Sequence, residues 1–332
     1  MTDRSIKIYL APFQGITGAV YREIYTRHFP YVDKLFTPFF TNTDSRKNLV
    51  RRTSELEKTF HNHIPVIPQV LSNDPNEIIN FSRVCFDLGF KEINWNLGCP
   101  FPRVARKKRG SGLLMYPELV ADILGIIRSE LPLRLSVKCR LGYESPDEIF
   151  AMMPVFNEFP LSELIIHARI GKQLYKGDID TDAFIKAREM SDHPVVYNGD
   201  ILLQKDVDRF TPLVGPVKGW MIGRGLLVDP FLPGDIKRLT IAGQNERKFL
   251  IRRFVEDLYY EYRKNMHDSL HAIHIMKELW EYLAFGFDHP KKVFDGIKKT
   301  NSFDDYEDAV GKIFKDHAWN GAQSGNFTPE LL

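Results

Sequence analysis

No apolar run in the sequence approaches the roughly 18 residues that a membrane-spanning helix requires, and Met1 to Leu10 holds no long apolar stretch after Arg4. Neither a span nor a secretory leader is expected, and the cytosol is the expected compartment. Cysteine is scarce. Cys85, Cys99 and Cys139 are odd in number and form no Cys-x-x-Cys pair, which argues against a disulfide framework, structural zinc or an iron-sulfur cluster. No metal site is expected, and a cysteine here is free to work as a thiol. Charge of either sign is not in excess: 45 Lys and Arg stand against 43 Asp and Glu, a formal net of +2, so no global field draws the chain onto a nucleic acid. Any basic surface has to be local. What is present is ordinary globular material, 43% hydrophobic and 27% charged, which excludes disordered and collagen-like classes. A length of 332 residues suits two domains or one large α/β barrel with an appendage.

Short apolar runs recur at near-regular spacing: Ile6 to Leu10, Lys34 to Phe36, Val66 to Val70, Glu92 to Asn96, Arg134 to Lys138, Leu164 to His167, Val195 to Asn198 and Gly219 to Ile222. Helical periodicity follows most of them. The clearest helix is Asp74 to Leu88, where Asp74 can cap, Pro75 suits the first turn, and Ile78, Ile79, Phe81, Val84, Cys85 and Leu88 form a stripe. Tyr116 to Glu130 is a second. Continuous rather than alternating apolar runs fit parallel strands buried on both faces. Eight such units predict an α/β fold of the (β/α)8 TIM-barrel type, with an open doubly wound sheet as the alternative.

After about Ala242 the strand signals stop. Phe254, Leu258 and Tyr262 share one helical face; Met276, Leu279, Trp280 and Leu283 share another; Pro290 opens a third helix, and Phe303 to Phe314 offers a fourth. The expected division is therefore a catalytic barrel over 1–242 and a small C-terminal helical bundle over 243–332. From residue 245 onward there are 13 basic and 15 acidic side chains, but the basic ones clump at Arg247-Lys248, Arg252-Arg253, Lys291-Lys292 and Lys298-Lys299. A single clump of this kind usually marks a solvated helix face.

In such barrels the C-terminal ends of the strands carry chemistry. Here those ends hold Ala11-Pro12, Thr37, Gln69, Asn96 to Cys99, Lys138 and Arg140, His167 and Arg169, Asn198-Gly199-Asp200, and Gly223-Arg224. Singly, each has an ordinary structural reading. Jointly they are hard to explain by stability, because a buried polar group costs free energy unless it is paired. The loops after strands seven and eight are the usual phosphate site, where Gly199 and Gly223 permit close approach and Arg224 can add a charge-assisted contact.

The stretch Asn94-Trp95-Asn96-Leu97-Gly98-Cys99-Pro100, followed by Arg109-Gly110-Ser111-Gly112, Lys138-Cys139-Arg140, His167-Ala168-Arg169, Asn198-Gly199-Asp200 and Ile222-Gly223-Arg224-Gly225, resembles the tRNA-dihydrouridine synthase family along essentially the whole chain. The tail, with His271 to Leu283 and the stretch at 287–294, is most similar to the bacterial C-type branch. The resemblance implies a flavoprotein that binds FMN, reduces it with NADPH and transfers hydride to C6 of a uracil in tRNA, while Cys99 protonates C5. It implies that Ala11, Pro12 and Phe13 line the flavin, that Gln69 meets its pyrimidine edge, and that Lys138 sits beside N1 and O2. His167, Arg169, Asn198, Gly199, Asp200, Gly223 and Arg224 fall near the flavin or its phosphate, and Asn96 contacts the substrate base. The C-type likeness points to position 16 of the D-loop. Two positions depart from the family habit: Asn94, where Asp is common, and Phe13, where Met is common. Nothing calls for an oligomer, and a monomer is the expectation.

The chemistry also stands on the residue types. Reducing a C5=C6 bond needs a proton on C5, and a thiol with an ordinary pKa of about 8.5 is protonated at neutral pH yet acidic enough to donate. Cys85 reads as core from its place on a helix stripe, and Cys139 faces away from Lys138 along the strand. Cys99 alone lies in a loop after a strand. Arg103, Arg106, Lys107, Lys108 and Arg109 follow it and could bind phosphates, with Arg252, Arg253, Lys298 and Lys299 as further contacts. Two other functions compete: an FMN-dependent reductase of a free pyrimidine, which needs neither the basic loop nor the tail, and a colourless RNA-binding module. A dihydrouridine synthase acting on another RNA is a variant of the first reading.

Overall fold

β-Branched and aromatic runs bounded by Pro, Gly and Asp become nine parallel strands: β1 (Ile8–Leu10), β2 (Lys34–Phe36), β3 (Val66–Ile67), β4 (Gln69–Val70), β5 (Glu92–Leu97), β6 (Arg134–Gly142), β7 (Leu164–Ile170), β8 (Val195–Asn198) and β9 (Gly219–Ile222). This computed structural model describes residues 5–43, 54–57, 63–239, 242–267 and 269–324. Arg4, part of the leader argument, lies outside the described residues, as do 240 and 241 beside the expected domain boundary and 325–332 at the end of the expected bundle.

The strands run in the order β3-β2-β1-β9-β8-β7-β6-β5-β4. β3 and β4 are one stretch of chain interrupted at Pro68, which has no N–H to give the ladder. Val66 and Ile67 pair with β2, whereas Gln69 and Val70 pair with β5, so this split strand closes the ring. Eight barrel positions result, and the fold is the expected TIM barrel with helices around it.

The helix Pro75–Asp87 starts as its sequence implies, with the Asp74 carboxylate accepting from the Asn76 N–H at 2.9 Å. Ile78, Ile79, Phe81 and Cys85 are buried, and Val84 and Leu88 are half-buried. Two strands exceed their expected limits. β6 continues to Gly142 and β7 to Ile170, pairing through a register shift between Arg140 and Gly142. Lys138, Arg140, His167 and Arg169 therefore sit on rigid strand backbone rather than in the loops beyond it.

Inside the ring, Tyr9, Ala11, Phe36, Ile67, Ile165, Val196 and Met221 fill a layer of their own. The four tail helices, Gln244–Asn265, His271–Leu283, Pro290–Lys298 and Phe303–Asp316, arise where expected. They share the outer core of the barrel rather than standing apart. The Phe254 ring lies edge-on to Tyr21 and Tyr25 of the helix Ala19–His28 and to Phe29 just after it, at 6.0, 6.3 and 5.2 Å, and the Tyr262 hydroxyl donates to the Ile16 carbonyl at 3.3 Å. Burying each such aromatic is worth about 1.5–3 kcal/mol, enough to hold the tail against the barrel. Among the described residues no single helix is long and apolar enough to cross a membrane, and no group of three or more His, Cys, Asp or Glu could hold a metal.

Candidate active site

The C-terminal strand ends surround a cavity of about 490 Å³ whose lining includes Ala11, Pro12, Phe13, Gln69, Asn96, Cys99, Lys138, Arg140, His167, Asn198, Gly199, Asp200, Gly223 and Arg224. Its lining mixes apolar Ala11, Met221 and Ile222 with three cations, Lys138, Arg140 and Arg224, and three carboxylates, Asp200, Glu278 and Glu281.

Cys99 is held in place from several sides. The Asn96 side-chain oxygen accepts from the Gly98 and Cys99 N–H groups at 3.0 and 2.9 Å, turning the chain sharply after β5. The Cys99 carbonyl accepts from both the backbone N–H and the hydroxyl of Ser111 at 3.0 Å. Gly110, at φ +57°, packs so closely that a Cβ there would lie 2.6 Å from that carbonyl and 2.9 Å from the Cys99 Cβ. The Gly-Ser-Gly motif is thus the backing of the cysteine loop. Burial pushes the thiol pKa up, against weaker opposing effects from the Phe101 N–H and from Arg140, Arg103 and Lys138. Cys99 is a thiol, an acid, at neutral pH. Burial also raises Cys139, to about 12, and Cys85. Both sit in the core.

An amide relay links the strand ends. Asn96 Nδ2 donates to Gln69 Oε1 at 2.7 Å, Gln69 Nε2 donates to Asn94 Oδ1 at 2.7 Å, and Asn94 Nδ2 donates to Ser136 Oγ at 2.9 Å. These bonds fix the orientation of all three amides and leave Gln69 one N–H and one lone pair for the cavity. They also account for Asn94: an aspartate could not donate to Ser136. At the other departure, the Phe13 ring packs edge-on to Tyr282 at 5.7 Å and lies 3.0 Å from where a Cβ on Gly223 would be.

The cations are weakly compensated. Lys138 has no ion pair among the described residues, and desolvation, then Arg140, lowers its pKa to about 8. His167 is held well below its ordinary value by burial and by Arg140, Lys138, Arg169 and Arg224, so it is neutral at pH 7. Arg140, lowered to about 10 mainly by burial, donates to the Gly98 and Ile170 carbonyls at 3.1 and 2.9 Å, bracing the cysteine loop from β6.

After β8, Gly199 at φ +147° and Asp200 at φ +41° form a tight turn. Asp200 accepts from Arg169 through both oxygens at 2.8 and 2.5 Å and from Arg224 at 2.9 Å. Arg169 also donates to the Gly177 carbonyl. It stands behind the wall and orients Asp200, while Arg224 reaches the cavity. Asn198 donates to the Met221 carbonyl at 2.8 Å, tying β8 to β9.

The basic residues are dispersed. Arg103, Arg106, Lys107 and Lys108 are exposed on the loop after Cys99, and the Lys108 ammonium lies over the Tyr116 ring at 4.2 Å. Arg109 is half-buried and donates to Asn73 at 2.8 Å with Glu77 at 3.5 Å, so it anchors that loop. Arg252 bonds Glu256 on its own helix at 2.8 Å. Arg252 and Arg253 precede Tyr262, the residue that touches Ile16 near the cavity, by about 15 Å of helix rise. Lys298 and Lys299 are exposed, and Lys298 lies near enough to Glu281 to oppose the burial that raises the Glu281 pKa.

Sequence reasoning missed Tyr175, Glu278, Glu281 and Tyr282, all of which line the cavity. The last three come from the tail helix His271–Leu283, so barrel and tail form the cavity jointly.

A family model described as dihydrouridine synthase (Dus) matches residues 9–314. The chain belongs to the dihydrouridine synthase family. With it, the chain belongs to the flavin-dependent oxidoreductases. It is 28% identical over 313 residues to a tRNA-dihydrouridine(16) synthase of Neisseria meningitidis serogroup A, covering 90% of this chain and 92% of that one. A tRNA-dihydrouridine(16) synthase of Shewanella oneidensis is 30% identical over 239 residues, covering 70% of this chain and 75% of that one. Among solved structures, a mutant morphinone reductase in complex with tetrahydroNAD shares the barrel, with a TM-score of 0.51 and 9% identity over 71% of this chain and 87% of that one.

Proposed function

We propose that this protein is a tRNA-dihydrouridine synthase that reduces the C5=C6 bond of a D-loop uridine, with Cys99 as the acid. The observation that carries the reading is a buried, protonated thiol fixed by Asn96, Ser111 and Gly110 in the wall of a cavity that Lys138 and Arg140 also line. The names of the relatives favour position 16 as the uridine modified.

The cavity suits FMN on its own chemistry. The apolar side chains of Ala11, Pro12 and Phe13 accept a flat ring, Gln69 keeps one donor and one acceptor for a pyrimidine edge, and Lys138 is a desolvated cation with no ion pair among the described residues. Arg224, oriented by Asp200, and Gly199 and Gly223, which line the same cavity, suit a phosphate, with His167 and Asn198 beside them. When bound, FMN would supply the hydride to C6, itself recharged by NADPH. Lys138 stabilises negative charge on the ring edge beside it. Asn96 presents its amide to the base, which has to leave its stack to enter the cavity. Cys99 gives its proton to C5, and the resulting thiolate takes a proton back from solvent when product leaves. Arg103, Lys107 and Lys108 on the mouth loop contact tRNA phosphates and release their counterions, with Lys298, which lies near Glu281, and Lys299 as further contacts. The catalytic barrel is residues 1–242 and the RNA-orienting bundle 243–332. The protein acts as a monomer in the cytoplasm.

Cys99→Ala tests the reading. Flavin reduction by NADPH is expected to match the native rate, because it needs no thiol. Reoxidation by uridine-containing tRNA is expected to slow by about 10² to 10⁴, the usual cost of losing a general acid. Rapid-mixing absorbance separates the two phases; equal rates in both would remove Cys99 from the mechanism. Reoxidation of the reduced flavin by free uracil or uridine as fast as by tRNA would favour a free-pyrimidine reductase instead.

A further inference from the structure

Glu278 comes to the cavity from the helix His271–Leu283, and its seat is fixed from both sides. On the barrel side the loop after β1 closes on itself. Phe13 N–H donates to the Thr17 hydroxyl at 2.8 Å, and the Phe13 carbonyl accepts from the Ile16 and Thr17 N–H groups at 3.2 and 3.1 Å. Gly15 stands in the middle of that loop with φ +91°, a left-handed backbone that suits glycine. A Cβ there would overlap one oxygen of the Glu278 carboxylate and lie 3.9 Å from the other, so any side chain at position 15 would displace the glutamate. On the tail side the Trp280 indole donates to the Tyr306 hydroxyl at 3.0 Å, and Tyr282, one turn on from Glu278, sets its ring against Phe13 at 5.7 Å. The carboxylate is thereby held at the rim between barrel and tail.

A negative group is out of place there on electrostatics alone, because a site for a polyanion gains from cations. Yet Glu278 is exposed, lines the cavity, and has no ion pair or hydrogen bond among the described residues. The titratable groups that feel its charge are Tyr262, Glu281 and Tyr282, none of them a cation. Glu281, by contrast, has Lys298 nearby. A carboxylate accepts hydrogen bonds and repels phosphate, so on a uridine nucleotide it can hold a sugar hydroxyl or the base N3–H. Topology decides between them. Cys99 follows β5, and the loop after β1 lies beside β9, which is four positions from β5 in either direction round the barrel. Thiol and carboxylate thus face each other across the mouth. A uracil that offers C5 to Cys99 has N1 on the far side of its ring, and the ribose that N1 carries extends toward the opposite wall, whereas N3–H ends at the ring edge.

We propose that Glu278 accepts a hydrogen bond from the ribose 2′-hydroxyl of the target uridine, and that this contact makes the site select ribose over deoxyribose. This rests on the dihydrouridine reading and adds the sugar to what the site recognises. The contact fixes the distance of the base from the thiol, so its loss is felt in the chemical step.

The test is Glu278→Ala in the flavin-loaded full chain, with Glu278→Gln beside it. The substrate is a tRNA assembled with either uridine or 2′-deoxyuridine at the modified position. Flavin affinity, melting temperature and the rate of flavin reduction by NADPH are expected to match the native protein in both variants. On uridine the single-turnover rate of Glu278→Ala is expected to fall about ten- to a hundredfold, the worth of a hydrogen bond to a charged group, with KM for tRNA within about twofold. The native enzyme is expected to lose as much on deoxyuridine, where Glu278→Ala shows no further loss, a coupling between one side chain and one substrate atom. Glu278→Gln, which keeps an oxygen acceptor, is expected to fall between the two on uridine. The proposal is overturned if Glu278→Ala is as fast as the native enzyme on uridine, or if the native enzyme does not distinguish the sugars. A loss of equal size on both sugars, as contact with N3–H or simple repulsion would give, also overturns it. So does a lower flavin affinity without the coupling, which would put the carboxylate on the ribityl hydroxyls of the flavin. Native protein that forms no dihydrouridine in any tRNA fails the underlying reading, a result distinct from any difference between the variants.

Discussion

The two ends of the barrel use buried charge in opposite ways. At the N-terminal end Glu163, fully buried, lies 2.7 Å from the Lys34 ammonium and 2.9 Å from that of Lys218, and accepts from the Tyr9 hydroxyl at 3.2 Å. Glu92 lies 3.5 Å from Lys34 and 3.6 Å from Arg134. Each carboxylate there meets its cations within the protein. At the C-terminal end Lys138, Arg140 and Arg224 crowd the strand-end side of one cavity, where Asp200, already shared with Arg169, pairs with Arg224, while Glu278 and Glu281 reach the lining from the tail helix without an ion pair to Lys138 or Arg140 among the described residues. The pairing at the first end closes the barrel. The desolvated Lys138 at the second end is a standing cost that an anionic ligand relieves, because an ion taken out of water without a partner is expensive.

Breaking the paired end has the largest expected effect. Glu163→Gln removes the carboxylate that Lys34 and Lys218 share; removing one member of a buried pair typically costs about 3–5 kcal/mol, and the lower end applies here because Lys34 keeps Glu92 and Lys218 is partly exposed. Urea unfolding is expected to show a loss of that order with flavin affinity per folded molecule unchanged. A neutral result would show that the lower cluster is not structural.

The same operation at the upper end should have the opposite sign. Lys138 has a folded pKa of about 8 against about 10.4 unfolded, so the ligand-free protein bears the cost of its charge in full below pH 8 and sheds it between pH 8 and 10.4. Lys138→Met is expected to stabilise the flavin-free protein at pH 7, by up to about 3 kcal/mol, and to abolish the gain in stability that the native protein shows between pH 8 and 10. It is also expected to weaken flavin retention. Destabilisation at pH 7 would mean that Lys138 has a protein partner after all.

Arg224→Ala sharpens the comparison with a smaller change. Its partner Asp200 keeps both bonds to Arg169, so the fold should hold. Flavin retention is expected to fall by about 1.5–3 kcal/mol, the worth of a charge-assisted hydrogen bond, measured by equilibrium dialysis against free FMN. Unchanged affinity would move the phosphate elsewhere.

The strands and tail helices were legible because each is a local pattern: continuous apolar runs for β1 to β9, and i, i+3, i+4 faces such as Phe254, Leu258 and Tyr262. So were Cys99, Lys138 and His167, since a polar residue closing an apolar strand has one place to go in a barrel. The basic loop was legible only as charge. Whether a given cation faces solvent or is spent on a neighbour depends on contacts across the fold, as Arg109 does with Asn73 and Glu77.

The sequence by itself determined the barrel, its order of strands and the residues delivered to its mouth, because strand period and chain order need no distant partner. Tertiary structure decided how those residues are used. The Asn96–Gln69–Asn94–Ser136 relay joins β4, β5 and β6, Arg140 links the cysteine loop to the end of β7, and Glu278, Glu281 and Tyr282 arrive from a helix more than a hundred residues beyond Cys99. Hydrogen bonding and desolvation act over a few ångströms in space whatever the separation along the chain, so a thiol's raised pKa and a lysine's lowered one exist only once the strands have closed.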